Sequence, residues 1–150
     1  MAHASTDVAG AVSQDWGKLV LRLALGFLIL LHGISKIKGG PGFIVDVVSK
    51  AGLPAALAYL VYIGEVVAPI LLIVGLFTRI AAVIVAINMV FAILLVHTAQ
   101  IFSMSQTGGW ELELQGMYLF TAIAIALMGA GRLSVAGIPG VAGRWNYSNS

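Results

Sequence analysis

Long stretches without a charged residue limit what this chain can fold into. No Asp, Glu, Lys or Arg occurs between Arg79 and Glu111, and none occurs between Glu113 and Arg132. Only 9% of the 150 residues are charged, against about 25% in soluble domains. So few charges cannot cover the surface of a water-soluble monomer of this size. The composition therefore all but excludes a soluble enzyme or a disordered chain, and we expect a protein solvated by lipid.

Four predominantly apolar runs are long enough for transmembrane helices, although Arg22, His32 and Lys36 lie within the first and Glu65 within the second. A helix that rises 1.5 Å per residue needs about 20 residues to cross a hydrocarbon core of about 30 Å. The runs cover residues 19–37, 53–77, 80–96 and 112–130. They lack the alternation of membrane barrels, so helices are favoured. The sequence predicts an all-α integral membrane protein, a four-transmembrane-helix bundle whose second and third helices are antiparallel neighbours across the short turn at 75–79.

The segments outside these runs divide the chain further. Residues 39–52 place apolar side chains on one helical face between two Gly/Pro-containing turns, which is typical of a short interfacial helix. Residues 98–110 are polar and aromatic, and we interpret them as a folded loop. We expect residues 1–16 to be a mobile N-terminal tail, residues 17–134 to be the membrane domain and residues 135–150 to be a C-terminal tail.

The distribution of basic residues predicts the orientation. One face would carry both termini with Lys18, Arg79, Arg132 and Arg144, and the other would carry Lys36, Lys38 and Lys50. The small excess of basic charge on the first face favours cytoplasmic termini. The positive charges form no cluster, so nucleic acid is not an expected partner. Because the chain has no cysteine, redox chemistry would need a bound cofactor or a partner protein.

Polar residues inside the spans are the candidates for function, because a charge there costs several kcal/mol unless it is paired or hydrated. Counting helical rise from the cytoplasmic ends predicts two layers. The middle layer contains Arg22, Glu65 and Asn88, and the outer layer contains His32, Lys36, His97, Glu111, Glu113 and Gln115.

Each candidate also has a structural interpretation. Glu65 could form an ion pair with Arg22 rather than bind a ligand or relay protons. Lys36 could simply extend its ammonium group to the membrane interface, or lie close to an acid of the loop, Glu111 or Glu113. Pro69 removes the N–H that would bond the Glu65 carbonyl, so we expect a kink beside this carboxylate. The depths of His32 and His97 would allow haem ligation, but neither haem nor a metal site is favoured, since no tight ligand spacing such as HExxH occurs. The glycines in the spans favour close helix packing.

Several motifs in the right order resemble those of the DoxX family. They are Arg22 followed by His32-Gly33-Ile34-Ser35-Lys36, then Gly64-Glu65 followed by Leu71 to Arg79, then His97 at the end of the third run, and finally Gly129 to Ser134. The resemblance covers Leu19 to Ser134. The family continues with an aspartate two residues after the serine, where this chain has Ala136, so any role of that acid is absent here.

The resemblance implies a small four-helix protein of the bacterial cytoplasmic (inner) membrane. Some family members are subunits of a thiosulfate:quinone oxidoreductase, and others are linked to complexes that handle oxidative and thiol stress. We therefore expect a membrane subunit of a quinone-linked redox complex, in a hetero- or homo-oligomer. A quinone would be bound by His32, Lys36, Glu65, His97 and Arg22. A non-catalytic anchoring subunit and a small-molecule transporter are the alternatives.

Overall fold

The computed structural model describes residues 2–138, and this part of the chain consists of helices and their connections. The main helices are α1 (Ala2–Gly39), α2 (Gly42–Lys50), α3 (Ala55–Val74), α4 (Thr78–Val96) and α5 (Glu113–Met128). Short 3₁₀ turns follow at Thr98–Gln100 and Val135–Gly137. Within residues 2–138 there is no β-strand, although a single β-bridge joins Met104 to Trp110.

Three of these helices, α1, α3 and α4, are long and apolar enough to cross a membrane. The fourth apolar run forms α5, which has 16 residues and is therefore about 24 Å long at 1.5 Å per residue. Each of the first three runs thus forms a helix with the length and apolar composition that the sequence predicts for a membrane span. The short helix predicted between the first two spans is present as α2.

The helices pack around a buried core in which α4 lies along α5, and α1 contacts both α3 and α5. This core consists of Leu25, Ile29, Ala68, Leu72, Ala81, Ala82, Val85, Met89, Tyr118, Ala122 and Ile125. Most other large apolar side chains are exposed, as expected of helices that face lipid. The core occupies the centre of the bundle and separates its two ends.

Glycines bring the helices into close contact, as the sequence predicts. A Cβ atom at Gly26 of α1 would lie 2.7 Å from Ile73 Cγ1 of α3, and one at Gly64 of α3 would lie 2.6 Å from Asn88 Cβ of α4. Such distances leave no room for a side chain. Gly75 has a φ of +78° and Phe77 a φ of +47°, and this left-handed backbone reverses the chain between α3 and α4.

The predicted N-terminal tail is helical where the structure describes it, since α1 begins at Ala2. Asp15, within this segment, accepts a hydrogen bond of 3.0 Å from the Arg132 backbone N–H. The mobility of this segment stays a prediction. Of the predicted C-terminal tail, residues 135–138 are described and residues 139–150 lie outside the described part of the chain.

Candidate functional site

An ion pair between Lys36 on α1 and Glu65 on α3 forms the centre of the site. The Glu65 side chain is 4% exposed and that of Lys36 is 33% exposed. Asn88 on α4 donates from Nδ2 to Glu65 Oε1 over 3.2 Å. The Glu65 carboxylate thus joins three helices through a single oxygen, while its Oε2 atom is buried without a hydrogen-bond partner.

The structural alternative, in which Glu65 pairs with Arg22, is wrong, because the partner of Glu65 is Lys36. The depth count assumed that the helices start in one plane, whereas α1 runs without interruption from Ala2 to Gly39 and its register against α3 differs. The prediction that Glu111 or Glu113 could approach Lys36 is also not met by the described contacts. Glu113 Oε1 instead accepts a 3.1 Å bond from the Trp110 backbone N–H.

Local sequence explains how Glu65 reaches this position. Residues Ile63–Val67 form a π-helical turn directly before Pro69, at the place where the missing proline N–H predicts a break. The Glu65 carbonyl faces Gly33, where a Cβ atom would overlap it. A Cβ at Gly64 would lie 2.6 Å from Asn88 Cβ. Two glycines therefore let α1 and α4 approach the distorted turn that presents the carboxylate.

An apolar cavity of about 370 Å³ lies on one side of the ion pair. It is enclosed by α2, α3 and α4, and Lys36, Glu65 and Asn88 contribute the polar groups to its wall. Its rim includes Phe43, which is 65% exposed, and Ile87, which is 51% exposed. The cavity therefore opens to the surface of the bundle through an apolar rim.

A smaller polar cavity of about 130 Å³ lies on the other side of the ion pair. Its wall contains Lys36 and Glu65 together with four further polar side chains, which are His32, His97, Gln115 and Tyr118, and four apolar residues, which are Ile29, Met89, Ala92 and Leu114. The structure thus brings together four of the five residues predicted to bind a ligand: His32, Lys36, Glu65 and His97. Lys36 and Glu65 are shared by both cavities.

Hydrogen bonds hold His97 in the wall of this polar cavity. Its Nδ1 lies 2.7 Å from Gln100 Oε1, and its Nε2 lies 3.3 Å from Gln115 Nε2. With the Gln115 amide nitrogen as donor, Nε2 accepts, and Nδ1 donates to Gln100 Oε1. Both ring nitrogens are therefore engaged. His32 instead makes an edge-on contact with the Tyr118 ring, with centroids 6.0 Å apart.

Arg22, the fifth predicted residue, lines neither of these two cavities. It is 1% exposed and donates to the Leu72 carbonyl over 2.9 Å and to the Leu133 carbonyl over 2.6 Å. Leu72 lies in the last turn of α3, and Leu133 follows the C-terminus of α5. Carbonyls at helix C-termini carry partial negative charge and stabilise a cation. Arg22 therefore ties the end of α3 to the segment that follows α5, at the opposite end of the bundle.

The helical rise predicted Asn88 in the middle layer and Gln115 in the outer layer, but neither was predicted to bind a ligand. Tyr118 was not among the candidates. Asn88 had a signal, since an amide is unusual in a run as apolar as residues 80–96. Tyr118 had none, because a tyrosine in a membrane helix is an ordinary residue. Its position in the site depends on the packing of α5 against α1.

Comparisons with known proteins agree with the resemblance found in the sequence. The model of the DoxX family matches residues 17–98. A Bacillus subtilis protein named "Putative oxidoreductase CatD" is 32% identical over 79% of this chain and 83% of its own length. An uncharacterised protein of Haemophilus influenzae is 33% identical over 74% of this chain and 81% of its own length. The comparison with solved structures gave no significant match.

Proposed function

The chain belongs to the DoxX family, and we propose that it is the integral membrane subunit of a quinone-linked redox complex. In this proposal α5 is the fourth crossing of the bundle and α2 lies at the membrane interface. The protein resides in the inner membrane with both termini in the cytoplasm. The name of the Bacillus relative supports an oxidoreductase role.

One observation carries the proposal: an apolar cavity open to the surface of the bundle has a buried, incompletely bonded carboxylate in its wall. Its volume of about 370 Å³ falls in the range of small-molecule sites, about 300–1,000 Å³. A quinone has an apolar ring and tail and two carbonyl acceptors. The rim around Phe43 and Ile87 would admit the tail, and Lys36 and Asn88 supply donors at the wall. The donor set and the shape of the cavity therefore fit a quinone.

Each residue at the cavity has a separate role in this proposal. Lys36 and Asn88 orient the headgroup by donating to its carbonyls, and Glu65 holds both donors in place through Oε1. The Oε2 atom gives Glu65 spare acceptor capacity for a proton. His32 and His97 stand on the far side of the ion pair, in the polar cavity. Arg22 has a structural role in this proposal, since it lines neither cavity.

When bound, a quinone accepts two electrons and two protons to become a quinol. This chain contains no cysteine, so the electrons would come from a redox-active partner subunit. Purification of the complex from native membranes, followed by extraction and analysis of its lipids, tests the assignment. Stoichiometric quinone is expected. A complex that retains the partner but holds no quinone would favour an anchoring subunit instead.

A further inference from the structure

The polar cavity is more than the back wall of the proposed quinone site. We infer that it is a hydrated vestibule that opens to one face of the membrane and leads to the Lys36–Glu65 pair. The vestibule is defined by His32, His97, Gln115 and Tyr118, and Lys36 and Glu65 also line it. A water-filled vestibule does not depend on a bound quinone, so this inference goes beyond the proposed function.

The size and lining of the vestibule suit water. A volume of about 130 Å³ is large enough for several waters. A buried water needs two to four polar partners. Both His97 nitrogens are already bonded, but the wall also offers the His32 ring, the Gln115 carboxamide, the Tyr118 hydroxyl and the ion pair. Among the polar residues of the wall, His32 is exposed, Lys36, His97 and Gln115 are half-buried, and Tyr118 and Glu65 are buried. The wall therefore contains both accessible and buried polar groups.

The vestibule opens on the face that carries the connection between α4 and α5, residues 97–112. His97 closes α4, its partner Gln100 lies in the connection, and Gln115 is in the first turn of α5. At the inner end, Ile29 and Met89 line the cavity. Behind them lie Leu25 and Val85 of the core, each 2% exposed or less. This apolar core separates the vestibule from the other face.

The consequence is a carboxylate–ammonium pair placed between water and lipid. Lys36 and Glu65 line the vestibule on one side and the apolar cavity on the other. Protons can therefore exchange between this pair and only one face of the membrane. If the proposed function holds, the protons of quinone reduction come from the face of the 97–112 connection.

The absence of cysteine allows a direct test with single-cysteine variants in sealed vesicles, without quinone. Thiolates react and thiols in lipid do not, so a charged, membrane-impermeant thiosulfonate reports contact with water. Gln115→Cys is compared with Met117→Cys, two residues along α5. Met117 is 65% exposed but lines neither cavity, whereas Gln115 is less exposed, being half-buried, and lines the vestibule. Gln106→Cys, in the exposed connection, identifies the reacting side.

Gln115→Cys is expected to react about tenfold faster than Met117→Cys, despite its lower exposure, and only from the side that labels Gln106→Cys. Equal slow rates at positions 115 and 117 would overturn the vestibule. Reaction of Gln115→Cys from both sides would overturn its one-sidedness.

A variant at Lys36 tests whether the vestibule reaches the ion pair with Glu65. In Lys36→Cys, an aminoethyl thiosulfonate attaches a primary amine through a disulfide and so restores a cation opposite Glu65. We expect this reagent to raise the melting temperature of Lys36→Cys, and an uncharged reagent of equal size not to do so. If Lys36→Cys does not fold, Lys36→Cys combined with Glu65→Gln replaces it, and its labelling from the Gln106 side is the measurement. A thiol at position 36 that stays unreactive in a folded variant would contradict the inference.

Discussion

Glu65 depends on donors from two neighbouring helices, because a carboxylate that is 4% exposed cannot rely on solvent. Lys36 supplies the charge and Asn88 supplies a second donor. The sequence identified Glu65 and Lys36 as candidates but not as partners. Residue type and depth were readable from the sequence, whereas the relative register of α1 and α3 depends on close contacts at Gly26 and Gly33 that only the folded structure reveals.

Removal of Lys36 should leave a buried charge without compensation. Lys36→Met is expected to destabilise the protein toward the lower end of about 3–5 kcal/mol, since Lys36 is itself 33% exposed. Lys36→Met combined with Glu65→Gln should recover most of the loss, because both charges are then removed. Thermal unfolding in detergent measures this. Arg22→Gln combined with Glu65→Gln is the control and should be additive; additivity in the Lys36 double variant would contradict the pair.

Gly33 provides a second test at the residue scale. In Gly33→Ala the methyl group would overlap the Glu65 carbonyl oxygen and lie 2.8 Å from Val66 Cγ2, and overpacking of this kind costs about 1–3 kcal/mol. Gly17→Ala is the matched control in the same helix, because nothing lies within 4 Å of its Cβ position. It should be neutral or stabilising by up to about 1 kcal/mol. Similar melting temperatures for the two variants would argue against the close approach of α1 and α3.

At the scale of elements, several of the motifs that resemble the DoxX family lie where a helix ends or is distorted. Pro69 predicted a break in the second span, and the structure places a π-helical turn there. The motifs separate into two groups that the sequence alone does not distinguish. Lys36 and Glu65 belong to the site, whereas Arg22, Gly75 and the segment ending at Ser134 form the joint between α3 and α5. The Ala136 N–H donates to the Gly75 carbonyl over 3.3 Å in this joint.

Arg22→Lys should weaken this joint, since one ammonium cannot reproduce two bonds from separate guanidinium nitrogens to Leu72 and Leu133. The loss of one charged hydrogen bond costs about 1.5–3 kcal/mol. We expect a lower melting temperature and faster proteolysis after Arg132. Lys38→Arg, an exposed exchange on the same helix, is the control and should change neither quantity. Unchanged proteolysis in Arg22→Lys would show that the two carbonyl bonds do not hold the segment.

At the scale of the whole molecule, hydropathy predicts membrane helices well but does not fix how many cross. The helix α5 is about 24 Å long, shorter than a hydrocarbon core of about 30 Å, so its crossing remains a proposal. The sequence also could not reveal the two cavities. They arise where α2 packs beside α3 and where α1, α4 and α5 meet, and both depend on long-range packing.

Topology can be measured with reporter fusions. Fusions after Lys50 and Gln106 should report the outside of the cell, and fusions after Arg79 and Ser150 should report the cytoplasm. This pattern follows from the basic residues near the span ends. A fusion at Ser150 on the same side as Gln106 would show that α5 does not cross. A cytoplasmic signal at Lys50 would reverse the proposed orientation.

The central claim is that the apolar cavity beside Lys36 and Glu65 binds a quinone. The most direct measurement is the melting temperature of the detergent-purified protein with and without a short-chain quinone. A ligand at 100 times its Kd stabilises a protein by about 2.7 kcal/mol, so a clear upward shift is predicted. Ile87→Trp should abolish it by filling the cavity that Ile87 lines. Val83→Trp, one turn away, similarly exposed at 47% and outside the cavity lining, should retain it. No shift in the wild-type protein, or an equal shift in both tryptophan variants, would contradict the claim.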